Sequence, residues 1–146
     1  MELEKREFTV LVSGVASDPH TWNLVFLQLL LEELGHRVVN IGARVPDDLL
    51  IASCVRHRPD LVVVSSVNGR GHHDGVRVIT GLRSHPDLTG IPVVIGGRLG
   101  IGGAGDARRT DDLLRAGFDA VFDDGAPIAA FREYVDGLGT LTAVTA

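Results

Sequence analysis

At 146 residues, with 45% apolar content, a net charge of −5 and one cysteine, the chain has the size and balance of a single globular domain with its own core. Scattered basic residues and few aromatics leave no footing for nucleic-acid binding, and no apolar run approaches the roughly 20 residues needed to cross a bilayer. Cys54 has no partner for an internal disulfide and reads as a packed thiol.

The amino-terminal stretch Met1-Glu2-Leu3-Glu4-Lys5-Arg6-Glu7 carries both charge signs and lacks the apolar segment of a signal peptide, so a cytoplasmic protein is expected. Beyond it, β-branched apolar runs alternate with helical periodicities. A strand over Phe8 to Val12 precedes a helix over Thr21 to Leu34. A strand over Arg37 to Ile41 and a helix over Asp47 to Arg56 follow. Leu61 to Ser65 reads as the third strand and Gly75 to Ser84 as its helix. Pro92 to Ile95 is the fourth strand, with a helix over Thr110 to Ala116. Ala120 to Phe122 is the fifth strand, with a helix over Pro127 to Leu138 and a tail from Gly139 to Ala146 that is expected to be loose.

Repeated βαβ crossovers are right-handed and produce a parallel sheet with helices on both faces. The expected fold class is therefore α/β, a five-stranded, doubly wound, flavodoxin-like sheet of order 2-1-3-4-5. One domain spans 1–146, with its core over about 8–138. In that order the first and third strands flank the switch point, and ligands bind beyond the carboxyl ends of the strands.

The loops at that rim carry the chemistry. Asp18-Pro19-His20 follows the first strand, and a neutral imidazole can give one ring nitrogen to a metal while donating the other N–H to a nearby carboxylate. The alternative for the triplet is a turn in which Ser17 or Asp18 caps the next helix. Ser65-Ser66-Val67-Asn68-Gly69-Arg70-Gly71 ends the third strand, with hydroxyls that suit either a ligand or their own backbone. After the fourth strand, six of the ten residues from Gly96 to Gly105 are glycine, which lets something bulky approach the backbone. The loop is no phosphate-binding P-loop, because no lysine occurs after Lys5. A phospho-receiver would need an aspartate where Ser65 stands. His72-His73-Asp74 reads as a helix start capped by Asp74. His36, His57 and His85 read as solvated, Trp22 and Phe26 as packing residues on one helical face, and Asp123-Asp124 as a solvated turn.

Taken together, Asp18-Pro19-His20, Val38-Val39-Asn40-Ile41-Gly42, Ser65-Ser66-Val67 with Gly69 and Gly71, and Gly96-Gly97 resemble the cobalamin-binding domain of B12-dependent mutases, above all the small subunit of glutamate mutase. The likeness runs from about Phe8 to about Leu138. It implies adenosylcobalamin as cofactor, with His20 as the lower axial ligand of cobalt and Asp18 bound to the other imidazole nitrogen. It further implies that Ser65, Ser66 and Val67 line a slot for the displaced nucleotide tail. Arg98, Leu99, Gly100, Ile101 and Gly102 would pass the tail and corrin edge, and Ser17, Pro19 and Thr21 would meet the corrin's lower face.

The implied activity is the radical rearrangement of L-glutamate to 3-methylaspartate, in a heterotetramer with a large TIM-barrel subunit that binds substrate. The chain alone would be inactive. Alternatives are a cobalamin module for methyl transfer or B12 sensing, and a flavodoxin-like interaction domain that has lost its cofactor. One departure stands out: the family pattern is Asp-x-His-x-x-Gly, and Asn23 occupies the glycine position. A side chain there is expected to narrow the slot, to weaken cobalamin binding, or to alter the helix start, since asparagine can cap a helix. Asn68 likewise stands where the resembled subunits carry an aromatic residue.

Overall fold

The computed structural model describes residues 7–99, 107–123 and 126–145, with side chains of the last helix described through 138. Five strands, β1 (Thr9–Gly14), β2 (Arg37–Gly42), β3 (Leu61–Ser66), β4 (Val93–Gly97) and β5 (Ala120–Asp123), alternate with α1 (Trp22–Glu33), α2 (Asp47–His57), α3 (Gly71–Ser84), α4 (Ala107–Ala116) and α5 (Ile128–Thr145). A short 3₁₀ turn, Pro86–Leu88, leads into β4. The strands pair in parallel in the order β2-β1-β3-β4-β5, the order anticipated from the alternation of elements.

Alternating side chains divide the core in two, because successive residues of a strand point to opposite faces. Leu11, Val62, Val64 and Ile95 pack on one face against Leu50 and Cys54 of α2, Ile79 and Leu82 of α3, and Leu113 of α4. Val10, Val12, Val63 and Val94 pack on the other against Leu24 and Leu31 of α1 and Phe131 and Val135 of α5. Central β3 is buried along its whole length, as expected for a parallel strand covered on both sides. Cys54 is a packed thiol, and burial pushes its pKa up to about 11. Among the described residues no helix is long and apolar enough to cross a membrane.

Several expectations need correction. The four-residue apolar spacing of Trp22 and Phe26 does not turn them inward: they are 65% and 51% exposed, because α1 presents Leu24 and Leu31 to the sheet instead. The run Trp22-Asn23-Leu24-Val25-Phe26-Leu27 is apolar nearly all round, so its periodicity could not choose the buried face. His36 is buried, stacked on Phe8 with ring centroids 3.8 Å apart, and its Nδ1 accepts the Phe8 N–H at 3.3 Å. His85 is half-buried, and its Nδ1 accepts the Asp87 N–H at 3.2 Å. α3 begins at Gly71 rather than Gly75, and α5 runs to Thr145 through most of the segment expected to be loose.

Strand register aligns the carboxyl ends into one row: Gly14 lies opposite Ser65, Ser65 opposite Gly96, and Gly97 opposite Asp123. Two glycines keep the loops beyond that row in contact. At Gly71 a Cβ would come within 2.6 Å of Leu99 Cδ2, where α3 begins against the loop after β4. At Gly97, φ is +110° and a Cβ would meet the Ser66 carbonyl oxygen at 2.1 Å. Gly97→Ala is expected to destabilise the fold by about 2–4 kcal/mol, combining left-handed strain with a backbone clash. Chemical denaturation measures it, and a loss below about 0.5 kcal/mol would mean that the two strand ends tolerate separation.

Candidate functional site

The turn leaving β1 closes through the Asp18 N–H, which donates to the Val15 carbonyl at 3.1 Å, and so directs the Asp18 side chain into the protein. That carboxylate is 1% exposed and holds three donors. Oδ1 accepts the His20 backbone N–H at 3.0 Å and lies 2.6 Å from His20 Nδ1; Oδ2 accepts the Val67 N–H at 2.7 Å. One side chain therefore orients an imidazole and ties the loop after β1 to the loop after β3. Burial pushes the Asp18 carboxyl up, but the Val67 and His20 backbone bonds, with the His20 ring, outweigh it and hold the pKa below 3.8. With Nδ1 engaged, His20 presents Nε2 outward from a side chain that is 45% exposed.

A second layer fixes these loops. The Asn68 Nδ2 donates to Ser17 Oγ at 3.1 Å, and Ser17 Oγ donates in turn to the Asp74 carboxylate. Asn68 Oδ1 accepts from Ser66 Oγ at 3.1 Å and from the Arg70 N–H at 3.0 Å. Asp74 is therefore no helix cap: it is buried within the first turn of α3, and Arg77 clamps it at 3.1 Å while also gripping Asp47 of α2 at 2.6 Å. The histidines beside it split apart, with His72 Nε2 lying 3.1 Å from Asp112 of α4. Asp123 is also not solvated, because its carboxylate accepts from Arg109 Nη2 at 3.1 Å and is 11% exposed.

Starting at Trp22 and Asn23, just beyond His20 in the chain, a cavity of about 230 Å³ opens between the sheet and the helices α1 and α5. Phe26, Leu27, Val63, Val94, Phe122 and Phe131 make its walls apolar. Asn23 and Ser65 supply a polar patch, with Asn23 Nδ2 donating to Ser65 Oγ at 2.7 Å. Asn23 is 6% exposed, and its Oδ1 has no hydrogen-bond partner. It does not cap α1: Thr21 occupies the cap position, without a side-chain bond, and Asn23 points into the protein.

Of the residues expected to line a slot, Asn23, Ser65, Val67, Gly96 and Gly97 border this cavity. Ser66 does not, because strand alternation turns it to the opposite face, where it is fully buried and bonds Asn68. Leu99 is also fully buried, within the core beneath α3, and its carbonyl accepts the His72 N–H at 2.7 Å. Arg98 is exposed, and its carbonyl accepts the Gly69 N–H at 3.2 Å. Ser17, Pro19 and Thr21 are exposed on the rim next to His20. Gly100, Ile101 and Gly102 lie outside the described residues. Sequence reasoning missed the walls contributed by Phe122 and Phe131, which carry no chemical signal and lie a hundred residues from the triplet. It missed Val67 N–H as a donor because a backbone amide leaves no mark in composition.

A family model described as the B12 binding domain matches residues 8–131. The glutamate mutase sigma subunit of Fusobacterium nucleatum is 30% identical over 122 residues, 82% of this chain and 87% of that protein. The sigma subunit of Clostridium tetanomorphum is 29% identical over 141 residues, 94% of this chain and 98% of its own length. Among solved structures, a cobalamin-binding protein from Desulfitobacterium hafniense superposes with a TM-score of 0.69 at 18% identity; the match covers 90% of this chain and 59% of that larger one. The chemotaxis response regulator CheY4 of Vibrio cholerae superposes equally well, at 0.69, with 11% identity over 91% of this chain and 99% of that protein. At those identities the superpositions speak for the fold alone.

The depressed Asp18 carboxyl carries a pH signature. A group whose folded pKa lies below its unfolded value stabilises the fold above the unfolded value and loses that contribution as pH falls through the folded one. Asp18→Asn is expected to cost about 1–3 kcal/mol at neutral pH, through a mismatched amide among three donors. The gap between wild type and variant should stay level down to about pH 5 and close as pH drops through and below 3.8. Denaturation midpoints across pH 2–7 measure it, and a pH-independent gap would remove Asp18's charge from the account.

Proposed function

We propose that this chain, which belongs to the B12-binding domain family, is the cobalamin-carrying subunit of a glutamate mutase-type enzyme. The Asp18–His20 pair carries the reading: a buried carboxylate holds one imidazole nitrogen at 2.6 Å and leaves the other facing outward, just ahead in the chain of the apolar slot that starts at Trp22 and Asn23. A histidine bound in this way has a set tautomer and a fixed ring orientation, which is what a metal ligand requires. Among the described residues no group of three or more His, Cys, Asp or Glu could hold an ion by itself. A metal at His20 must then bring its other ligands with it, as the cobalt of a corrin does.

In this reading His20 Nε2 would hold the cobalt, and the exposed Ser17, Pro19 and Thr21 would be the surface offered to the corrin. The slot that starts at Trp22 and Asn23 fits the displaced nucleotide tail: its apolar walls suit a flat heterocycle, and the unpartnered amide oxygen of Asn23 awaits a donor. Asn23, Ser65, Val67, Gly96 and Gly97 would hold the tail, while Gly69 and Arg98 join the two loops above it. When bound, adenosylcobalamin supplies the radical chemistry that rearranges a carbon skeleton. The chain's own residues would hold the cofactor and keep the imidazole of His20 oriented toward it.

The relatives named glutamate mutase sigma subunits support a mutase that acts on glutamate and a role as one subunit among others; in this reading the rearrangement is of L-glutamate to 3-methylaspartate and the partner is a larger subunit. We place the substrate site on that partner, a TIM-barrel subunit joined in a cytoplasmic heterotetramer, which leaves this chain inactive by itself. Purified protein mixed with hydroxocobalamin or adenosylcobalamin, alone and with a large mutase subunit, should give the base-off, histidine-ligated absorption spectrum. His20→Ala should abolish that spectrum while preserving the fold. Conversion of L-glutamate should require both subunits. An unchanged cobalamin spectrum in both mixtures would overturn the proposal.

A further inference from the structure

We infer that Asn23 is a specificity-determining residue for the lower base of the cofactor, selecting tails whose heterocycle carries an amino group beside a ring nitrogen, as adenine does, over dimethylbenzimidazole. The inference rests on the reading of the cavity as a nucleotide-tail slot.

Its basis is the hydrogen-bonding balance at the polar end of that slot. Asn23 is 94% buried by its 6% exposure, borders the cavity and spends one amide group on Ser65 Oγ at 2.7 Å. Oδ1 is left with no partner, and the Ser65 hydroxyl, which accepts in that bond, keeps its own hydrogen to give. The pair thus presents one free acceptor, Asn23 Oδ1, beside two free donors, the Ser65 hydroxyl and the second N–H of the amide. Exchanging the amide oxygen and nitrogen preserves this result, since the hydroxyl would then donate to Oδ1, leaving both amide N–H groups as donors and the Ser65 oxygen as acceptor.

The remaining side chains lining this cavity are apolar or glycine apart from Asp123 and Trp22, whose indole can only donate and so leaves Asn23 Oδ1 as the free side-chain acceptor. Asp123 is committed to Arg109 at 3.1 Å. A base with a donor and an acceptor on one edge satisfies the free acceptor of the Asn23–Ser65 pair together with one of its free donors. A dimethylbenzimidazole has a ring nitrogen for one donor but only methyl and C–H groups for the acceptor, so the amide oxygen stays buried and unpaired. Sites built to hydrogen-bond a polar edge reject analogues lacking it far more strongly than apolar pockets reject an extra group. Glycine in place of Asn23 would remove the unmet acceptor and with it the reason for discrimination.

Three probes test this: adeninyl cobamide, cobalamin with its dimethylbenzimidazole tail, and cobinamide, which has no nucleotide tail. Dissociation constants come from the absorption change on His20 ligation, for the chain with its large subunit where that is needed for binding. The wild-type protein is expected to bind adeninyl cobamide at least about tenfold more tightly than cobalamin. Asn23→Gly should bring the ratio to about one or reverse it, chiefly by tightening cobalamin. Ser65→Ala, which removes one free donor but leaves the apolar walls, should also shrink the preference. Equal wild-type affinities for the two cobamides, or a preference that survives Asn23→Gly in a folded variant, would overturn the inference and leave the cobalamin reading intact. Cobinamide binding as tightly as both would show that the tail does not enter the slot, which also overturns it. Failure of all three probes to bind would overturn the cobalamin reading itself.

Discussion

A single buried carboxylate organises this molecule's working edge. Asp18 takes hydrogen bonds from two strand-end loops and from the ring of His20, so its position fixes both the imidazole and the spacing of β1 and β3 at the switch point. A charge this deeply buried is costly unless fully hydrogen-bonded. Here the donors overcompensate, which is why the carboxyl stays ionised below its ordinary range. The same bonds that stabilise the charge position the imidazole, so neither can be altered alone.

The second layer explains why the loops have little freedom to answer a change at Asp18. Ser17 is bound from both sides, by Asn68 and by Asp74, and Asp74 is pinned by an arginine that also holds α2. Interaction with Asp47, together with Asp74 and against burial, raises the Arg77 pKa above its already high value, so the clamp is charged throughout the accessible pH range. Through this chain of contacts the position of the β1 loop is referred to two helices on the far side of the sheet. Pre-organisation of this kind places the cost of ordering in the folding of the protein rather than in the binding of its ligand.

How much of this was legible in the sequence follows from what each feature leaves behind in composition. Strand order could be read because five β-branched runs alternated with helical periods and handedness admits few topologies. The Asp18–His20 pair could be read because its members are two residues apart and chemically distinctive. Contacts between distant loops could not. Asp74 looked like a cap because its partners, Ser17 and Arg77, become neighbours only after folding. Ser65 and Ser66 looked equivalent until the pleat sent one to the cavity and the other to Asn68. The exposed faces of Trp22 and Phe26 were hidden in a helix apolar on nearly every side; both residues border the cavity, so their exposure is the counterpart of a slot left open between α1 and α5.

Signal receiver domains share this fold, so the strand ends, rather than the architecture, must decide function. A phosphoryl acceptor on this scaffold needs a carboxylate at the end of the third strand. Ser65 puts a neutral hydroxyl there, and it is already engaged by Asn23. The acidic group at the switch point belongs instead to the first loop, buried beneath a histidine and inaccessible at 1% exposure. A carboxylate so placed cannot serve as a nucleophile to an incoming phosphoryl group, but it can tune the imidazole above it. Moving the charge from the third strand's end to a position under His20 changes what the same sheet offers at its switch point, from a carboxylate open to a phosphoryl group to an imidazole held from below.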